Sequence, residues 1–251
     1  DFAAKTVTGV RGDASFEESY DRLVIATGAV PVVPPVEGTD LQGVFCVRTP
    51  DDAIGLREYV KEGGCRSAVV VGAGFIGLEV AENLHAQGLQ VTVLDAADQI
   101  MPAVFDPEMA GYARRRLRQA GIRVITGTPL SGVTGQERAN GVNAGSTRIA
   151  ADVVVLAIGV RPATDFLKDS GIEMFKGTIL VDEYMKTNIP DVYAAGVCAM
   201  VHNRLTGKHQ WSAMGSTANL AARALAATLT GTPTVYGGCF GTGVVRLLDG
   251  L

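Results

Sequence analysis

The chain has 251 residues, 47% hydrophobic and 19% charged, enough apolar material for one large α/β domain or two smaller ones, which excludes a mainly disordered chain. Its 22 basic and 26 acidic residues leave a net charge of −4 with no basic stripe, against general nucleic-acid binding. No apolar run reaches the ~20 residues of a membrane span, and four scattered cysteines (Cys46, Cys65, Cys198, Cys239) without a CxxC pair read as reduced thiols of a cytoplasmic protein.

Short β-branched runs alternate with helical stretches, the pattern of a parallel sheet covered by helices. Leu23–Ala26 reads as a buried strand ending in Thr27-Gly28-Ala29, and proline-rich Pro31–Gly38 as a crossing between two domains. Thr49-Pro50-Asp51-Asp52 signals a helix start, with Thr as cap and Pro at the first position, and Gly63-Gly64 signals its end. Ala68–Val71 is a strand, a helix runs from the following glycines to Gln87, and Gln90–Asp95 is the next strand. Asp106-Pro107-Glu108 starts a helix to Gln119, and Ile122–Ile125 is again a strand. The glycine-dotted stretch 131–146 suggests hairpins or exposed turns. Further strands fall at 152–158, 178–181 and 192–195, and a small-residue helix at 215–229. The first residues show no leader pattern and both ends read as cut, so a longer protein is expected.

Gly72-Ala73-Gly74-Phe75-Ile76-Gly77 is the G-x-G-x-x-G turn in its required setting: strand before, helix after, then a second strand ending in Asp95, about 20 residues on. Gly72 permits the tight turn, Gly74 lets a pyrophosphate approach the backbone, and Gly77 lets helix and strand pack closely. The amides of the helix start favour the phosphate charge. Asp95 can accept from both ribose hydroxyls, and would repel a 2′-phosphate within ~4 Å by up to ~4 kcal/mol at an effective dielectric of ~20, so NADH is expected over NADPH. Arg114, Arg115, Arg116 and Arg118, on a later helix, read as a solvated face. His202 and His209 lack accompanying acids or cysteines, so no metal is expected. His85 reads as surface or packing, Trp211 as core, and each cysteine as a small packing residue.

Six ordered segments carry a resemblance that covers nearly the whole chain. Tyr20–Ala29 (YDRLVIATGA), Val69–Glu82 (VVVGAGFIGLEVAE), Leu156–Pro162 (LAIGVRP) and Thr187–Gly196 (TNIPDVYAAG) resemble motifs of the flavin-dependent pyridine nucleotide-disulfide oxidoreductases. Gly215–Asn219 (GSTAN) and Gly241–Val245 (GTGVV) are similar to the coenzyme A-disulfide reductase and NADH oxidase branch. The resemblance implies an α/β fold of the FAD/NAD(P)-binding, Rossmann-like, three-layer type, with an NADH domain inserted in a truncated FAD domain. The expected divisions are 1–43 with 161–243 for the incomplete FAD domain, 44–160 for the NAD domain, and 244–251 for the start of a C-terminal dimerisation domain.

By the same resemblance, Gly72, Gly74, Phe75, Ile76, Gly77 and Asp95 form the NADH site, and Ile158 and Gly159 a loop on the nicotinamide side. Ala26, Thr27 and Gly28 match a loop under the flavin's phosphates or ribityl chain, Gly196 the second flavin motif, and Ser216, Thr217 and Ala218 a helix start facing the flavin ring. Glu79 matches an acid beside the flavin–nicotinamide contact, and is also readable as a helix-face acid. Three departures stand out: no first flavin glycine motif, no redox cysteine at the family's position, and Val197 where the family has an aspartate. The implied activity is hydride transfer from NADH to FAD and on to a disulfide such as coenzyme A disulfide, or to oxygen, in a homodimeric full-length enzyme, this segment alone being inactive and its hold on FAD weakened. The competing reading is a non-catalytic NAD-binding or redox-sensing module.

Overall fold

The computed structural model describes residues 1–248, which form two compact units: Asp1–Val30 with Val160–Gly243, and Pro31–Gly159 with the described residues from Val244 on. The chain opens with hairpin strands β1 (Thr6–Arg11) and β2 (Ala14–Ser19), then β3 (Leu23–Ile25) and β4 (Ala29–Pro31). It continues into the inserted unit through β5 (Val44–Phe45), α1 (Pro50–Glu62), β6 (Ser67–Val71), α2 (Phe75–Ala86), β7 (Gln90–Leu94), α3 (Pro107–Gln119), β8 (Arg123–Ile125), β9 (Leu130–Gly135), β10 (Ala139–Ala144), β11 (Thr147–Ala150) and β12 (Val153–Leu156). It returns through β13 (Val160–Pro162), β14 (Met174–Phe175), β15 (Thr178–Ile179), β16 (Val192–Ala194), β17 (Met200–His202), β18 (His209–Trp211) and α4 (Gly215–Leu229).

The inserted unit has three layers, as expected of the fold class. A parallel sheet in the order β5-β12-β6-β7-β8 forms the middle. Alternation sends Val70, Val93, Val124 and Val155 to one face, where they join Leu56, Leu78, Leu84 and Leu117 of the helices. Val69, Val71, Leu94, Val154 and Leu156 go to the other, against Val133, Val142 and Ile149 of the antiparallel sheet β11-β10-β9. Strands buried on both faces explain why 68–71 and 153–156 read as unbroken apolar runs. Of the hairpins or exposed turns expected over 131–146, the structure forms hairpins, β9–β10 and β10–β11, that make up this layer; Asn140 and Asn143 point outward while Val142 and Ala144 are buried.

Helix ends follow the residue signals. Thr49 and Asp52 form a reciprocal capping box on α1, worth about 1 kcal/mol. Asp106 caps α3 by accepting from the Met109 N–H at 2.8 Å.

The other unit is built from short pieces. β3 and β16 pair in parallel, Leu23 opposite Val192 and Ile25 opposite Ala194, and α4 buries Ala221 and Leu225 with Tyr193 and Ala195. The β1–β2 hairpin has no counterpart among the strands expected from sequence: Ala14–Ser19 is exposed throughout, so it carries no apolar alternation.

The units divide at 30/31 rather than 43/44. Val133 N–H donates to the Glu37 carbonyl and Ala139 N–H to that of Gln42, so residues 31–43 are tied into the β9–β10 layer. At the other end, Leu247 is buried in the helix-side core of the inserted unit and Leu248 N–H donates to Glu82. The rest of the expected 244–251 segment, residues 249–251, lies outside the described residues.

Asp152, at the start of β12, accepts from the N–H groups of Arg66 and Ser67 and from the Ser67 hydroxyl, clamping β12 to β6. The amide of Arg66 foremost, with the Ser67 donors, holds its carboxyl below the usual carboxylate range. A depressed folded-state value means stability present above the unfolded carboxylate range and lost as pH falls through the folded one. Asp152→Asn is expected to cost roughly 1 kcal/mol at neutral pH, solvent screening included. Urea melts of both proteins should converge toward acid pH.

Candidate functional site

The carboxyl ends of β6, β7 and β12 meet where the sheet order reverses, since the chain runs outward through β7 and β8 and then returns beside β6 as β12. In open α/β sheets this switch point is where ligands bind. Gly72 ends β6 at φ +107, a conformation that strains any side-chain-bearing residue, and a Cβ there would overlap the Ala157 carbonyl. A Cβ on Gly77 would overlap the Gly72 carbonyl, so α2 packs directly on the turn. Gly74 differs: a Cβ on it meets nothing within 4 Å, leaving open space over the turn. Gly74 is the N-cap of α2 with no side-chain cap, so the first-turn amides are free for an anion.

Asp95, directly after β7, is held by two backbone amides. Its Oδ2 accepts from Ala73 N–H at 2.6 Å and its Oδ1 from Ala97 N–H at 2.8 Å. Each oxygen keeps lone-pair capacity for a further donor, so the carboxylate is oriented but not saturated. Met101 N–H donates to the Ala73 carbonyl, fixing the turn from its other side. Phe75 and Ile76 are exposed on the first turn of α2, and Ile158 and exposed Gly159, at φ +114, follow β12. Glu79 is exposed on α2, its carboxylate without a hydrogen bond or ion pair among the described residues, its carbonyl accepting from the Asn83 side chain.

These residues form one cluster. It fits a dinucleotide: open backbone and free amides for a pyrophosphate, and an oriented carboxylate for a ribose diol. Sequence reasoning missed the Ala73 and Ala97 amides; no side-chain type announces a backbone donor.

A second cluster lies in the other unit. The Ala195 N–H donates to the Ile25 carbonyl, which brings Gly196 beside Ala26, Thr27 and Gly28 at the ends of two parallel strands. Gly28 and Gly196 have φ of +69 and +86, and a Cβ on Gly196 would lie 3.8 Å from that of Ala218 in the first turn of α4. That helix also lacks a side-chain cap. Ala26, Thr27 and Ser216 are exposed, whereas Thr217 is buried and its hydroxyl bonds to Ser212. Thr217 therefore stiffens the helix start. At Val197 the main-chain carbonyl accepts from Trp211 Nε1 at 2.6 Å, and no side-chain acceptor exists there.

The thiols are unsuited to nucleophilic work. Burial pushes the Cys46 and Cys65 thiols up from their ordinary value, Asp52 and Asp152 adding to the effect; Cys198 and Cys239 are buried. His202 and His209 face each other edge-on across β17–β18, and among the described residues no group of three or more His, Cys, Asp or Glu could hold a metal.

Residues 1–224 match the model of the pyridine nucleotide-disulphide oxidoreductase family, and the chain belongs to that family. An NADH oxidase of Methanocaldococcus jannaschii is 42% identical over 203 residues, 81% of this chain and 45% of the relative. A solved NAD-dependent persulfide reductase from A. fulgidus superposes with a TM-score of 0.91 at 37% identity, over 98% of this chain and 46% of that one. A water-forming NADH oxidase from Lactobacillus brevis, solved with NADH bound, gives 0.90 at 32% identity, over 98% and 55%. The chain spans about half the length of the curated relatives it matches.

Two outcomes follow from this geometry. Gly72→Ala should destabilise the chain by about 1–3 kcal/mol, from the left-handed backbone and the Ala157 overlap, measured by denaturant melts. All four thiols should react with an alkylating reagent at neutral pH more slowly than a free thiol of ordinary pKa, read by mass spectrometry under native conditions.

Proposed function

We propose that this chain is the NADH-binding part of a flavin-dependent oxidoreductase that passes a hydride from NADH to FAD and on to a small-molecule disulfide or oxygen. The observation that carries it is Asp95, fixed by the Ala73 and Ala97 amides at the mouth of the glycine turn. A carboxylate held there selects a ribose diol. It disfavours a 2′-phosphate by charge, and the next residues, Ala96 and Ala97, offer no cation.

The chain's residues divide the work of binding. Gly72 and Gly77 shape the turn, Gly74 with the amides of Phe75, Ile76 and Gly77 would hold the pyrophosphate, and Asp95 the adenosine ribose. Ile158, Gly159 and exposed Glu79 are assigned to the nicotinamide end. Ala26, Thr27, Gly28, Gly196, Ser216 and Ala218 are assigned to the flavin, with Thr217 contributing through its main chain while its side chain stiffens the helix, and the uncapped start of α4 suits an electron-rich ring edge. When bound, the nicotinamide supplies the hydride and the flavin relays the electron pair to the acceptor. Val197 offers no acceptor to a ribityl hydroxyl, which weakens this chain's own hold on the flavin.

The matched relatives are named for both oxygen and sulfur chemistry, which supports a small-molecule acceptor of one of those kinds. Among the described residues no helix is long and apolar enough to cross a membrane. Four free thiols suit a reducing cytoplasm, and the net charge of −4 argues against nucleic acid as partner. A homodimer of the whole protein completes the proposal.

Calorimetric titration of NADH and NADPH into the chain and into Asp95→Ala tests the reading. Loss of the charged acceptor should weaken NADH by about 1.5–3 kcal/mol and narrow the gap to NADPH. Tighter NADPH than NADH on the unmodified chain would overturn it.

A further inference from the structure

Residues 111–128 contain five arginines (Arg114, Arg115, Arg116, Arg118, Arg123) and no acid, in a chain whose net charge is −4. Three of them, Arg114, Arg118 and Arg123, line a groove of about 470 Å³ between α3 and β8, floored by Gly121–Thr126. The groove belongs wholly to the inserted unit, and β8 is the open edge of its parallel sheet.

Helix polarity accounts for part of this charge, since Arg116 and Arg118 sit in the last turn of α3 near its carbonyl end. It does not account for Arg114 a turn earlier or for Arg123 on the strand. None of the three groove arginines has a carboxylate partner among the described residues. Arg118 reaches only the Val124 carbonyl, at 3.5 Å, and the Arg114 Nε is shielded from solvent without any acceptor. Guanidinium groups gathered without counter-charge repel one another, a repulsion that a bound anion relieves. Strand alternation places the Val124 N–H on the open side as a further donor, because Ile125, its neighbour, uses its carbonyl for the Asp95 N–H.

We propose that this groove binds a polyphosphate group. Three planar forks arranged along a groove match the successive tetrahedral oxygens of a di- or triphosphate, each fork pairing bidentately. A single carboxylate would leave most of the positive charge uncompensated. Two sources carry this chemistry, a nucleoside triphosphate and an inorganic polyphosphate chain.

The test is titration of inorganic tripolyphosphate into the chain saturated with NADH, which keeps the glycine turn occupied. One saturable site is expected, weakened about tenfold by Arg118→Gln, the loss of one charge-assisted pair. Arg114→Gln and Arg123→Gln should act similarly, and Arg123→Lys, which keeps charge but loses the fork, should fall between. NADH affinity should stay unchanged in every variant, which shows that the fold is intact. Repeating the titration with ATP separates the sources: equal affinity assigns the polyphosphate chain, tighter ATP a nucleotide. Absence of saturable binding, or an equal loss on Arg57→Gln far along the sequence on α1, overturns the proposal. If NADH itself fails to bind, the unliganded chain is titrated, and the arginine variants decide the groove independently of the cofactor reading.

Discussion

Three stretches of backbone share one space at Gly72. The turn leaves β6 there, the Ala157 carbonyl closes it from the neighbouring strand, and Gly77 of α2 sits on its carbonyl oxygen. No side chain fits between them. This exclusion sets where α2 begins, which of its amides stay free, and where the Ala73 N–H points. The carboxylate of Asp95 then takes its orientation from that amide. The chemistry of the site is therefore built from main-chain groups, and the visible glycines are the condition for bringing them together.

That is also why the sequence shows some features and hides others. A steric demand for a hydrogen leaves a glycine behind, so Gly72 and Gly77 are readable at once, as are the caps Thr49 and Asp106, where one side chain meets one amide nearby. The doubly buried strands declare themselves through valine runs. The Ala73 and Ala97 donors leave no trace, because any residue other than proline carries the same N–H. The division at 30/31 is hidden for a related reason: it depends on Glu37 and Gln42 bonding to a layer about a hundred residues later. In the β9–β11 layer, glycine and asparagine around buried Val133 and Val142, with register shifts between the strands, break the alternation that would mark a strand.

The other unit relies on small residues instead of long apolar runs. Ala194, Ala195, Cys198 and Ala199 are buried around β16, and strands of two or three residues are joined by glycines at positive φ. Its resemblance to a flavin site rests on loop ends and a helix start, while Val197 and the Trp211 bond give one corner an apolar, main-chain character. The two clusters thus differ in kind: one is an oriented carboxylate over a rigid turn, the other a shallow assembly of backbone and small side chains.

The parallel pairing of Leu23 with Val192 bears on how the protein forms. β3 is made before residues 31–159 of the inserted unit, and β16 only after them. Among the described residues its sheet has just these two strands, so β3 waits without its ladder partner while β5 to β12 complete their own sheet from nearer neighbours. Pairings that close long loops form late. Residues 31–159 separate the two strands, and their ends, brought together by β5 and β12 side by side, shorten the loop that β3 and β16 must close.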